Sequence, residues 1–166
     1  MTDFLKSKGL HREVTKEQAM FRQALSFCKT ASDIYERDLM QAPRNGLAAA
    51  PFAVNSVFSI ELYLKTLHKL VGSEIRGHEL LKLYDALPVE TRETVLSHAQ
   101  KHAAGYGVAP APSAESFRQS IAELNTAFVD WRYCYEAGAV TEFFKIPPTI
   151  LVMVAVDQAC RQLGAT

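Results

Sequence analysis

The chain has 166 residues, 48% of them hydrophobic, and its 18 basic side chains are balanced by 18 acidic ones, giving a formal net charge of zero. That length fits one domain able to bury a core without disulfides or metal. The charge balance leaves no global field for a broad footprint on duplex DNA.

Residues 1–14 read as a flexible N-terminal arm, in which the lysines and Arg12 are diluted by Asp3 and Glu13. No apolar stretch there has the length of a signal peptide. The longest unbroken apolar run, residues 150–156, is far short of the ~20 residues of a membrane span. Three cysteines, Cys28, Cys134 and Cys160, each fall in an apolar-periodic stretch and read as small buried hydrophobes in a reducing compartment. Together these features predict a cytoplasmic protein with no membrane partner, and residues 15–166 read as a single helical domain.

The first helix is expected from Thr15 to about Met40, because Met20, Ala24, Cys28, Ala31, Tyr35 and Leu39 recur in steps of three and four. Phe27 and Ile34 lie off that stripe on a narrower edge, available to another helix or a partner chain. The turn QAPRNG follows. From about Leu47 to Val71, Ala53, Val57, Ile60, Leu64, Leu67 and Val71 form one face, and Phe52, Phe58, Tyr63 and Leu70 extend the apolar surface almost all round. Such a helix belongs at the centre of a bundle. Gly72 closes it, Gly77 precedes the short amphipathic segment HELLKLYDAL, and Pro88 opens the more polar VETRETVLSHAQKHA.

GYGVAPAPS, with two glycines and two prolines, reads as a loop. Ser113, Glu115 and Ser116 can then cap a helix to about Tyr135, striped by Phe117, Ile121, Leu124, Phe128, Trp131 and Tyr135. AGAVTEFFKI fits either a loop or a short extended segment. PPTILVMVAVDQACRQL begins with prolines suited to a first turn and reads as a buried last helix, with a strand as the alternative given its β-branched run. The sum is an all-α, antiparallel helical bundle of five or six helices.

Two rim positions stand out. Arg132, in FVDWRYCYE, lies about 60° from the centre of its stripe with Glu136 one turn on, and Glu61 lies about 80° from its own, followed by Lys65 and His68. As bare residues they read as ion pairs that fix helix register. NSVFSIELYLKTL, RGHELLKLYDALP and FVDWRYCYE, taken in that order and spacing, resemble the HEPN superfamily of small helical bundles, over roughly residues 15–137. The resemblance implies a commonly dimeric antiparallel bundle associated with nucleotide or RNA binding, with toxin-antitoxin and phage-defence systems, and with nucleotidyltransferase partners.

Many members of that superfamily are metal-independent ribonucleases with an arginine followed about four to six residues later by a histidine on the late helix. Here Arg132 is followed by Tyr133, Cys134, Tyr135, Glu136, Ala137, Gly138 and Ala139, and no histidine occurs after His102. Without that imidazole the proton carrier for a ribose hydroxyl is missing. The expectation is a noncatalytic HEPN-like module that binds a nucleotide, RNA or a protein partner and forms a homodimer, its ligand met by Asn55, Glu61, Lys65, His78, Arg132 and Glu136. The alternatives are a divergent ribonuclease that borrows His68 or His78, and a partner subunit of a nucleotidyltransferase.

Other patterns carry less. Arg92 and His98 have the family spacing, but on a polar helix in the wrong place. HAQKH lacks the acid of the zinc motif HEXXH, and neither GYG nor RNG has the context of a phosphate-cradling loop. No metal, cofactor or catalytic residue is assigned.

Overall fold

The computed structural model describes residues 14–125 and 145–165. These residues form six α-helices and no strand: α1 (Lys16–Ile34), α2 (Ala49–Leu70), α3 (Leu80–Asp85), α4 (Val89–His102), α5 (Ala114–Asn125) and α6 (Ile146–Gln162). The all-α reading therefore holds, and the last helix is a helix despite its β-branched run. The arm expected over residues 1–14 lies almost wholly outside the described residues, as does 126–144, with the end of the striped late helix and AGAVTEF.

α1 begins with a reciprocal cap. Thr15 Oγ1 accepts from the Gln18 N–H and Gln18 Oε1 accepts from the Thr15 N–H, both at 3.2 Å. The helix ends in a π-helical turn, Tyr35–Leu39. Phe21 meets Tyr63, Phe27 stacks on Phe58 at 5.4 Å, and Tyr35 meets Phe52. One number falls as the other rises, so α1 and α2 run antiparallel. Phe27, on the narrower edge of α1, thus meets another helix of the same chain.

α2 is the central helix. Ala53, Val57, Ile60, Leu64 and Leu67 are all buried on the expected face, and Phe52 and Tyr63 add to the core from beside it. Val57, Ile60, Leu64, Leu67 and Phe52 each contribute about 1.5–3 kcal/mol on burial. With the turn before it, Gly46–Leu70 is long and apolar enough to cross a membrane, but 56% of its 18-residue apolar window is buried inside the bundle, as a core helix requires.

α6 lies against α2 and α4. Cys160 Sγ donates to the Tyr63 carbonyl at 3.4 Å, and His98 Nε2 meets Gln162 Oε1 at 2.7 Å. The short α3 is braced by α5: Arg118 binds Asp85 with two nitrogens at 2.9 and 2.6 Å, and Asn125 Oδ1 accepts from the Leu81 N–H at 3.3 Å. Ser113 caps α5 as expected, accepting from the Ser116 N–H at 3.1 Å.

Candidate functional site

The connection from α2 to α3 determines where the candidate side chains point. Gly72 has φ of 73°, and the N–H groups of Gly72 and Ser73 return to the carbonyls of Lys69 and His68 at 3.1 and 2.8 Å. This left-handed stop satisfies two of the carbonyls orphaned at the end of α2. His68 is buried beneath it. Its Nε2 donates to the Leu83 carbonyl and its Nδ1 meets Ser73 Oγ, both at 2.8 Å. With both ring nitrogens occupied, His68 clamps α3 to the end of α2 and has no nitrogen left for a substrate.

Gly77, with φ of 109°, turns the chain outward just before α3 and exposes His78. The His78 side chain is 82% exposed, yet its Nδ1 donates at 2.9 Å to Oε1 of Glu61, whose side chain is only 11% exposed. The same Oε1 accepts from Lys65 Nζ at 2.7 Å, one turn along α2. A buried carboxylate thus fixes the orientation of an exposed imidazole and leaves Nε2 facing solvent. Glu61 was expected at the rim; the close packing of α2 places it further in, at 8% exposure.

Of the six sequence-predicted site residues, Glu61, Lys65 and His78 come together. Asn55 stands apart: it lies about 120° round α2 from Glu61, and its Nδ2 donates at 2.7 Å to the Pro51 carbonyl of its own helix. Arg132 and Glu136 lie outside the described residues, so their expected place beside Glu61 at a shared ligand falls there too.

Beside the triad is a cavity of about 280 Å³, lined by Lys16 from α1, Lys65 and Lys69 from α2, and Arg76 and Gly77 from the connection, among others. Lys69 Nζ is 2.5 Å from Glu74 Oε1. Lys69, by that hydrogen bond and by its charge, and then Lys16 and Arg76 hold the Glu74 carboxyl below the usual range. Glu17 is held low first by backbone hydrogen bonding and the Thr15 hydroxyl, with Lys69 and Lys16 adding to the effect. Sequence reasoning missed Lys16, Lys69, Glu74 and Arg76. The spacing of Lys65 and Lys69, one turn apart, was a visible signal; Lys16 joins them only through the antiparallel pairing of α1 with α2.

A second polar group lies inside the bundle. Among the described residues, Tyr63 Oη and Asp157 Oδ1 are buried without a hydrogen-bond partner. Asp157 Oδ2 accepts from Arg161 Nε at 2.9 Å, and that guanidinium sits 5.2 Å from the centre of the Phe21 ring. Burial pushes the Cys28 and Cys160 thiols and the Tyr63 phenol up, with the Asp157 charge adding to each. Thiols so placed are poor nucleophiles. Among the described residues, no cluster of three His, Cys, Asp or Glu side chains could hold a metal ion.

No family model, no curated protein and no solved structure matches this chain.

Proposed function

We propose that the protein is a noncatalytic HEPN-like module that binds a nucleotide or an RNA end, acting as a homodimer in a toxin-antitoxin or defence setting. The observation that carries this reading is the outward-facing imidazole of His78, steered by the buried Glu61 carboxylate beside a cavity rich in cations. Lys65 shares Glu61 with His78, and Gly77 immediately precedes it; both line the cavity. Cationic side chains give affinity for phosphate, and an imidazole with one free nitrogen can read a base or sugar edge. The three sequence segments that resemble the HEPN superfamily supply the family part of the reading.

The test is fluorescence anisotropy with a short labelled single-stranded RNA, using the full chain. Binding is expected, weakened about tenfold by His78→Ala, an exchange equivalent to about 1.4 kcal/mol. Failure to bind RNA or mononucleotides sinks the reading. Copurification with a separately encoded chain in place of nucleic acid would substitute a protein partner, such as a nucleotidyltransferase.

One observation favours a second reading, a divergent ribonuclease. A carboxylate bonded to one nitrogen of an imidazole is the device that orients many general bases. RNA cleavage that is abolished by His78→Ala and by Arg132→Ala would establish it; equal, background-level cleavage by all three proteins removes it.

A further inference from the structure

We propose that the cavity between the start of α1 and the end of α2 seats a phosphate group of the ligand, and that Glu74 occupies this seat when no ligand is bound. The inference rests on the nucleotide or RNA reading above and adds to it where the phosphate goes and what it displaces.

Four cations converge on one small space. Lys16, Lys65, Lys69 and Arg76 surround it, with Met20 and Ile75 among the apolar lining, and its volume of about 280 Å³ accommodates several water-sized groups. Two of the four already hold carboxylates: Lys65 is paired with Glu61 and Lys69 with Glu74. Those two carboxylates differ. Glu61 is built into α2 and almost buried, whereas the Glu74 side chain is 67% exposed and sits between Gly72 and Gly77 on a connection without helical hydrogen bonds of its own.

Among the described residues Glu74 makes one ion pair, through one oxygen, while feeling Lys16 and Arg76 at longer range. A phosphate presents more oxygens and more charge to the same donors, including the fork of Arg76, so it outcompetes one exposed carboxylate. The local backbone pulls both ways, the negative end of α2 against an anion and the start of α1 towards one. The last carbonyls of α2 are partly neutralised by the N–H groups of Gly72 and Ser73, and α1 contributes its positive N-terminal end at Lys16. The Glu74 side chain is exposed and can swing aside about its own bonds, leaving the Ser73 hydrogen bonds of the His68 clamp in place.

The experiment compares short single-stranded RNAs that differ only in carrying a terminal phosphate or a terminal hydroxyl, with inorganic pyrophosphate as competitor. The phosphorylated RNA is expected to bind about tenfold tighter, and combining Lys69→Ala with Arg76→Ala should erase that preference. Glu74→Gln should tighten binding of the phosphorylated RNA about threefold, because it removes the internal competitor. A gain in affinity cannot be imitated by misfolding.

A Glu74→Gln protein with unchanged or weaker affinity overturns the displacement. Equal affinity for both RNA ends, still lost on His78→Ala, overturns the phosphate seat and leaves the wider reading intact. Pyrophosphate that binds as tightly as the phosphorylated RNA and depends on Lys69 and Arg76 supports the seat but assigns it to free phosphate, overturning the nucleotide reading. No binding of any probe overturns both.

Discussion

The connection between α2 and α3 is bracketed by two histidines with opposite surroundings. His68 is 2% exposed and uses both ring nitrogens on Ser73 and Leu83, within the fold. His78 has a side chain 82% exposed and uses one nitrogen on Glu61. One residue type thus divides between architecture and recognition. A histidine whose hydrogen-bonding capacity is exhausted inside the protein holds elements together; one held by half keeps a nitrogen for something else. The polarity of the side chain does not decide this, but the supply of local partners does.

The loss of His68 should be felt most. His68→Ala leaves a void and an unpaired Leu83 carbonyl, and should lower stability by about 3 kcal/mol in urea unfolding. A loss below about 1 kcal/mol would mean that Ser73 and Leu83 find other partners and that the clamp is dispensable.

The interior should next reveal itself at high pH. The thiols of Cys28 and Cys160 and the phenol of Tyr63 keep their protons in the folded state past the ordinary values of 9.0 and 10.0 at which the unfolded chain gives them up. The folded form then binds more protons than the unfolded one, so stability is intact below pH 9 and falls as pH rises through that range. The slope for each group approaches about 1.4 kcal/mol per pH unit. Thermal unfolding followed across that range should show the decline, and Tyr63→Phe should remove the part that begins near pH 10.0. A melting temperature flat through that range contradicts the burial of these groups.

The smallest effects belong to the outer half of the comparison. Glu61→Ala strips Lys65 and His78 of their shared acceptor and should cost about 1–2 kcal/mol, between the values for exposed and buried pairs. His78→Ala should change stability by no more than about 0.5 kcal/mol. If urea unfolding showed His78→Ala costing as much as His68→Ala, the division of labour between the two would be wrong.

Much of this fold was legible because long helices repeat one signal many times. Ile60, Leu64 and Leu67 mark the buried face of α2, and Phe117, Ile121 and Leu124 that of α5, as periodicity requires. Gly72 and Pro88 mark boundaries through backbone constraints that act locally. The reciprocal cap of Thr15 and Gln18 is equally local, a polar pair three apart whose signal is independent of the apolar stripe.

What sequence alone did not reveal depends on distance across the fold. Phe21 is buried, though it is absent from the expected stripe of α1, because α2 meets that helix nearer its flank at Tyr63. His68 followed Glu61 and Lys65 in sequence as a rim residue, but the turn at Gly72 folds back and covers it. The candidate site was half legible: Glu61, Lys65 and His78 meet, whereas Asn55 spends its amide on its own helix. Lys16 reaches Lys69 and Arg76 only because two helices far apart in sequence run in opposite directions, which no local pattern encodes.

Gly72 carries one last consequence. A β-carbon added there meets nothing within 4 Å, yet the backbone at φ of 73° is one that L side chains rarely adopt. The position therefore discriminates by handedness while leaving room for a methyl group. A mirror-image alanine introduced by chemical synthesis would sit in that conformation without strain and, by restricting the unfolded chain, would stabilise the turn that an ordinary alanine opposes.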